Sequence, residues 1–231
     1  MTTIIAEIGV NWDGDLELAE KMMIEAKIAG CDLVKFQAID ETKLEHPQKK
    51  RILKASISKE NIEEIDTISK KTKIEWFCTP MYLQAVDLLN PYVNKFKIRE
   101  LDSRDLFQHK TNSIIDSVLK TGKEVIISTQ ESPKTLQVFE NNKIQWLYCV
   151  PKYPSKLEEL NFKNIRDFDG YSNHCTEIIA PLTAVTLGSK IVEIHITSDK
   201  SKNFIDNNVS FDFLELQELI KQIRFLSDNK F

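Results

Sequence analysis

Apolar residues along this chain fall into two alternating rhythms. Short runs rich in β-branched and aromatic residues occur at Thr3–Glu7, Leu33–Gln37, Glu75–Cys78, Lys95–Ile98, Glu124–Ser128, Gln145–Cys149, Gly170–Ser172 and Ile191–Ile196. Each has the length and composition of a strand. Between them, apolar residues recur three and four positions apart, which predicts helices over Leu16–Ala29, Lys59–Lys71, Tyr82–Leu89, Leu106–Lys120, Lys134–Glu140, Glu177–Leu187 and Leu214–Phe225. The stretch Lys156–Asp167 has no clear period. Eight strands with a helix after nearly every one predict a single α/β domain over residues 1–231, closed as a (β/α)8 TIM barrel rather than opened as a doubly wound sheet.

One connection, Ala38–Ser58, is long, and long loops in compact domains often cover active sites. Its Lys49-Lys50-Arg51 run reads first as a solvated turn and second as a contact for phosphate or a partner. His46 and His109 read as isolated surface or core histidines.

Composition narrows the partners. Hydrophobic residues make up 42% and charged residues 29%, a balance that supports a folded core. The net charge of −4 gives no broad positive field, so neither nucleic acid nor an anionic membrane is expected as the main partner. The N-terminal apolar stretch is short and lacks a basic lead, which predicts neither signal peptide nor membrane span and places the protein in the cytoplasm. Cys31, Cys78, Cys149 and Cys175 are far apart with no CxxC pair, so reduced buried thiols are expected rather than a zinc site.

Active sites of (β/α)8 barrels lie at the C-terminal ends of the strands. The polar residues there are Glu7, Lys35, Gln37, Thr79, Lys97, Ser128, Tyr153, Ser172, His174, Glu193 and His195. Strand side chains alternate, so Lys35 with Gln37, Ser172 with His174, and Glu193 with His195 share a face. A single buried Lys or Glu is as readily a structural ion pair as a functional group, but the full set strains that account. His174 and His195 end neighbouring strands, and two imidazoles plus water suit a divalent transition metal. Lys35 and Lys97, with hydroxyls from Thr79, Ser128 and Ser172, would give a phosphate both charge and directional donors.

The motifs AEIGVNWDGDLELA (Ala6–Ala19), VKFQ (Val34–Gln37), FCTP (Phe77–Pro80), FKI (Phe96–Ile98), VIIST (Val125–Thr129), YCVPKYP (Tyr148–Pro154), GYSNH (Gly170–His174) and VEIHIT (Val192–Thr197), with Asp206 to Ser210, resemble the N-acetylneuraminate (sialic acid) synthase family in order and spacing. The resemblance covers essentially the whole chain. It implies a metal-dependent transferase that joins phosphoenolpyruvate to N-acetylmannosamine or a related open-chain amino sugar. The cofactor it implies is Mn2+, with Mg2+ or Co2+ as alternatives, held by His174 and His195. It also implies that Lys35, Thr79, Lys97, Ser128 and Ser172 hold phosphoenolpyruvate. Gln37, Tyr153 and Asp206 would face the sugar. Glu7 and Glu193 match acidic positions beside the metal, and Asp206 or Glu193 would accept the proton of the attacking water.

Departures from the family pattern touch a phosphate donor and the sugar contacts, and alter the sugar side more than the metal side. Members typically carry a C-terminal antifreeze-like domain that gives an Arg to the partner subunit's site. No such domain is expected here, which leaves Arg99 or Arg104 to replace that contact and a homodimer as an expectation only. After Lys97, the chain reads Arg99-Glu100-Leu101-Asp102 where the family has a serine-containing turn followed by Glu, so Asp102 is expected to stand in for that Glu. Pro151 replaces an Asn. The rival readings are a non-catalytic barrel that binds a sugar or a protein, and a 3-deoxy sugar acid synthase or metal-dependent lyase acting on a phosphorylated aldose.

Overall fold

The computed structural model describes residues 1–229. Eight strands, β1 (Thr3–Gly9), β2 (Leu33–Ala38), β3 (Glu75–Pro80), β4 (Lys95–Ile98), β5 (Glu124–Thr129), β6 (Ile144–Cys149), β7 (Gly170–Asn173) and β8 (Ile191–His195), form a closed barrel in chain order. Every pairing is parallel, and β1 closes the ring by pairing with both β2 and β8. This is the expected (β/α)8 TIM barrel. Among the described residues, no helix is long and apolar enough to cross a membrane.

The surrounding helices are α1 (Leu16–Ala29), α2 (Lys49–Lys54), α3 (Ile62–Thr72), α4 (Leu83–Leu89), α5 (Glu100–Phe107), α6 (Ser113–Lys120), α7 (Ile179–Thr186) and α8 (Phe213–Asp228). Helix α1 starts where Asp15 accepts bonds from the Glu17 and Leu18 amides, and it stops at Gly30, whose φ of 100° suits a residue without a side chain. It buries Ala19, Met22, Met23 and Ala26 at helical spacing. Helix α8 opens with a reciprocal cap between Asp212 and Glu215 and buries Leu216, Leu219, Ile220 and Ile223. Each buried Leu or Ile contributes on the order of 2 kcal/mol. Trp12, Phe36 and Trp76 pack edge to face between barrel and helices, with ring centroids 5.9 and 6.1 Å apart.

Two helical expectations are corrected. The segment expected as one helix over Leu106–Lys120 is two, α5 and α6. The chain breaks at His109, which takes a left-handed φ of 53°, and restarts at Asn112, whose side chain accepts from the Ile114 and Ile115 amides. Lys134–Glu140 forms two 3-10 turns, Pro133–Thr135 and Gln137–Glu140, because Leu136 between them is extended. The ambiguous Lys156–Asp167 likewise holds only the 3-10 turns Leu157–Glu159 and Phe162–Asp167.

The long second connection is not wholly irregular, since its basic run opens α2. Arg51 binds Asp13 through Nε at 2.8 Å and Nη2 at 2.6 Å and lies over the Phe204 ring, tying three loops of the upper face together. Lys49 donates to the Glu41 carbonyl. The four cysteines are free and buried, and among the described residues no group of three or more His, Cys, Asp or Glu side chains is placed to hold a metal ion.

Candidate active site

The strand register brings the polar strand ends together. Glu7 pairs in register with Lys35 on one side and His195 on the other, Gln37 with Thr79, and Ser172 with Glu193. They open into a cavity of about 290 Å³ at the C-terminal mouth, lined by Glu7, Lys35, Gln37, Thr79, Lys97, Ser128, Tyr153, Ser172, His174, Glu193 and His195. All but two of the thirteen residues expected in the site therefore line one cavity.

Two buried lysines and two buried carboxylates form its floor. Lys97 Nζ donates to both oxygens of Glu193 at 2.8 and 2.9 Å. Lys35 Nζ lies 3.1 Å from Glu7 Oε1 and 3.5 Å from Glu193 Oε1, and 3.4 Å from the Thr79 hydroxyl. Ser172 donates to Glu193 at 2.9 Å, and Gln37 Nε2 to Glu7 at 2.7 Å. Burial alone would raise the Glu193 carboxyl, but the Lys35 and Lys97 charges outweigh it and hold the group well below the usual carboxylate range. Glu7 differs. Burial pushes it up to about 7, since Lys35 only partly offsets the desolvation and Glu193 adds to it.

Some buried polar atoms of this lining are left over. Among the described residues, Glu7 Oε2 and Ser128 Oγ find no hydrogen-bond partner, although both residues line the cavity. A buried polar atom without a partner costs about 1–3 kcal/mol, so such atoms in a cavity wall point to a ligand.

The histidines sit together on the β7–β8 side, with ring centroids 5.3 Å apart. His174 Nδ1 lies 2.8 Å from the Val150 carbonyl; with Nδ1–H donating there, Nε2 keeps a free lone pair. Burial lowers His174 to about 4 and His195 well below its ordinary value, so both are neutral near pH 7. His195 Nδ1 also finds no hydrogen-bond partner among the described residues. Two neutral buried imidazoles, one with an orphaned nitrogen, fit a divalent ion whose other positions go to water and substrate.

Asp206 and Asp102 are the exceptions to the shared lining. Asp206 Oδ2 is 3.7 Å from His195 Nδ1, and burial pushes its carboxyl up to about 6. Asn11 fixes its turn by accepting from the Asp206 amide at 2.9 Å. A Cβ on Gly9, whose φ is 54°, would come within 3.3 Å of Asp206 Oδ2, Gln37 Nε2 and Glu7 Oε1, so glycine leaves room where these three side chains meet. Asp102, by contrast, turns away from the cavity. It accepts from Arg99 Nε at 2.7 Å and Nη2 at 3.0 Å, and the first turn of α5 instead puts Arg99, Glu100, Leu101 and Arg104 on the wall. Cys149 and Pro151 complete the lining. Cys149 was legible as the last residue of a strand, yet its thiol suggested only core packing.

Comparison with known proteins identifies the family. A family model described as the NeuB family matches residues 22–229. The chain belongs to the NeuB family. An uncharacterized protein of Methanocaldococcus jannaschii is 34% identical to this NeuB-family chain over 246 residues, covering 97% of this chain and 71% of the relative. The N,N'-diacetyllegionaminic acid synthase of Campylobacter jejuni is 31% identical, covering 96% of this chain and 75% of its own length. Among solved structures, the N-acetylneuraminic acid synthetase of Leptospira borgpetersenii in complex with citrate superposes with a TM-score of 0.85 at 27% identity, over 98% of this NeuB-family chain and 84% of the other.

Proposed function

We propose that this chain condenses phosphoenolpyruvate with an open-chain N-acylated amino sugar, N-acetylmannosamine or a relative, to give a nonulosonic acid and phosphate. The observation that carries the proposal is the meeting of the Lys35–Lys97 pair, the orphaned Ser128 hydroxyl and the His174–His195 pair in one cavity of a NeuB-family barrel. A sialic acid synthetase with the same fold supports the reaction class.

Lys35 and Lys97 would hold the phosphate, with the Thr79, Ser128 and Ser172 hydroxyls fixing its oxygens. Gln37, Tyr153 and Asp206 would face the sugar. A divalent metal, Mn2+ with Mg2+ or Co2+ as alternatives, would be held by His174 and His195 and would polarise the sugar aldehyde as a Lewis acid. C3 of phosphoenolpyruvate attacks the aldehyde carbon, and a carbon–carbon bond forms as its double-bond electrons are used. Water adds to C2, and the C2–O bond then breaks to release phosphate.

The water must lose a proton, and the carboxyls differ in fitness for that task. Glu193 is tied to two lysines and Ser172 and held well below the usual range, which makes it a weak base and suits it to orienting Lys97. Glu7, near 7 with a free Oε2, and Asp206, near 6, are poised to accept a proton at neutral pH. The test is phosphate release from phosphoenolpyruvate with Mn2+ across free and phosphorylated amino sugars. Sugar-dependent release that is lost in His174→Ala would support the reading. Bound metal without release for any sugar would favour a binding protein instead.

A further inference from the structure

The condensation leaves the Lys49-Lys50-Arg51 run unused, yet Arg51 is not left to solvent. Each of its three guanidinium nitrogens is engaged. Nε and Nη2 fork onto the Asp13 carboxylate at 2.8 and 2.6 Å, while Nη1 donates to the Asn203 carbonyl and, at 3.1 Å, to Gln48 Oε1. The guanidinium also lies 5.8 Å from the ring centroid of Phe204, which is buried. Asp13 belongs to the β1–α1 connection, and Asn203 and Phe204 to the β8–α8 connection. A planar fork with every nitrogen matched suits holding two loops together better than exchanging ligands.

The second of those loops carries Asp206. Its ends are pinned to each other, since the Phe211 amide donates to the His195 carbonyl at 2.8 Å and the Thr197 amide to the Phe211 carbonyl at 2.9 Å. Inside it, the Thr197 hydroxyl donates to Asn207 Oδ1 at 2.6 Å. Among the described residues, two side chains from outside the loop bond its backbone between Thr197 and Ser210. Asn11 accepts from the Asp206 amide at 2.9 Å, and Arg51 donates to the carbonyl of Asn203, three residues earlier. Asn11 thus fixes the turn at Asp206 itself, and Arg51 fixes the approach to it.

Resting on the reading that Asp206 faces the sugar, we infer that Arg51 is a positioning residue for that site: by latching Asn203 and Phe204 to Asp13 it holds the β8–α8 loop at the mouth and keeps Asp206 in place for the acceptor. Arg51 touches neither substrate. Its charge serves the latch and does not attract the donor's phosphate.

The experiment measures KM for the best acceptor of the sugar panel and for phosphoenolpyruvate, by Mn2+-dependent phosphate release, in the parent and in Arg51→Ala, Arg51→Lys and Lys50→Ala. Arg51→Ala should raise KM for the sugar about three- to tenfold and leave KM for phosphoenolpyruvate within about twofold, a split that a smaller folded fraction would not produce. Arg51→Lys keeps the charge without the fork and should behave like Arg51→Ala, whereas Lys50→Ala, which removes an exposed neighbouring charge, should match the parent. In an Asp206→Asn background, Arg51→Ala should add less than about twofold, because it acts through the residue already changed. Hydrogen exchange gives a readout without turnover: residues 199–206 should exchange faster in Arg51→Ala, with the barrel strands unchanged. An unchanged KM for the sugar, full rescue by Arg51→Lys, an undiminished effect in the Asp206→Asn background, a shift confined to KM for phosphoenolpyruvate, or unchanged exchange of that loop overturns this inference alone. A parent that turns over no sugar overturns it together with the condensation.

Discussion

Replacing Glu193 by Gln tests whether the cavity floor is a mutually neutralised charge cluster. The side chain is 2% exposed and receives Lys97 at 2.8 and 2.9 Å, Ser172 at 2.9 Å and Lys35 at 3.5 Å. The amide keeps the shape and one acceptor oxygen but leaves two buried ammonium groups facing Glu7 alone. Removing one partner of a buried ion pair costs about 3–5 kcal/mol. In a chain of this size, that lowers Tm by roughly 6–20 °C. Lys97→Met removes the opposing charge, so the double variant should be less destabilised than the sum of the two single changes by about 1–3 kcal/mol. Phosphoenolpyruvate brings negative charge to the same lysines and should therefore raise Tm more in Glu193→Gln than in the parent. Thermal unfolding followed by circular dichroism, with and without phosphoenolpyruvate, reads all three effects. A Tm loss under about 2 °C, or strict additivity in the double variant, would refute the charge-cluster account.

Glu7 gives a pH signature. Its folded pKa of about 7 lies above the ordinary 4.5, so between those values the folded chain binds more proton than the unfolded one. The group therefore favours the fold below that window, and its contribution is lost as pH rises through 7. Glu7→Gln should gain on the parent between pH 5 and pH 8 by up to about 3 kcal/mol, and denaturant unfolding at the two values would show it. Gly170→Ala puts a Cβ 2.0 Å from the Ile191 carbonyl oxygen, forcing β7 from β8. It should cost about 3 kcal/mol or more and abolish Mn2+ binding with it, since those strands carry the histidines; a native Tm would contradict the close approach. Calorimetric titration at pH 7 should show one Mn2+ per chain, lost in both His174→Ala and His195→Ala, and binding that survives either change would remove the pair from the metal site.

The strands were legible because a barrel strand buried on both faces is a short apolar run, and the strand ends because polar residues interrupt such runs. Helices were legible only where packing and local signal agree. Asp15, Gly30 and the apolar spacing of Met22, Met23 and Ala26 all point to α1, and it forms as expected. The break between α5 and α6 rests on a left-handed His109, a residue type that carries no strong turn signal.

Glu100 and Asp102 show a different limit. Which side of α5 faces the cavity depends on how the helix leaves β4, and no strand alternation reports it. The family pattern favoured Asp102, whereas the fold gives that residue to Arg99 and puts Glu100 on the wall. Asp206 was recognisable by motif, but its nearness to Glu7 and Gln37 depends on the turn at Gly9 and on Asn11.

The measurement that tests the central claim most directly uses phosphoenolpyruvate labelled with 18O at the bridging oxygen, incubated with the parent chain, Mn2+ and the best acceptor. Mass spectrometry then follows both products. The account predicts a new acid larger than the acceptor by the three-carbon unit of phosphoenolpyruvate, formed one for one with phosphate that carries the label, because the C2–O bond breaks. Phosphate released without the label, or without a condensed product, would contradict it.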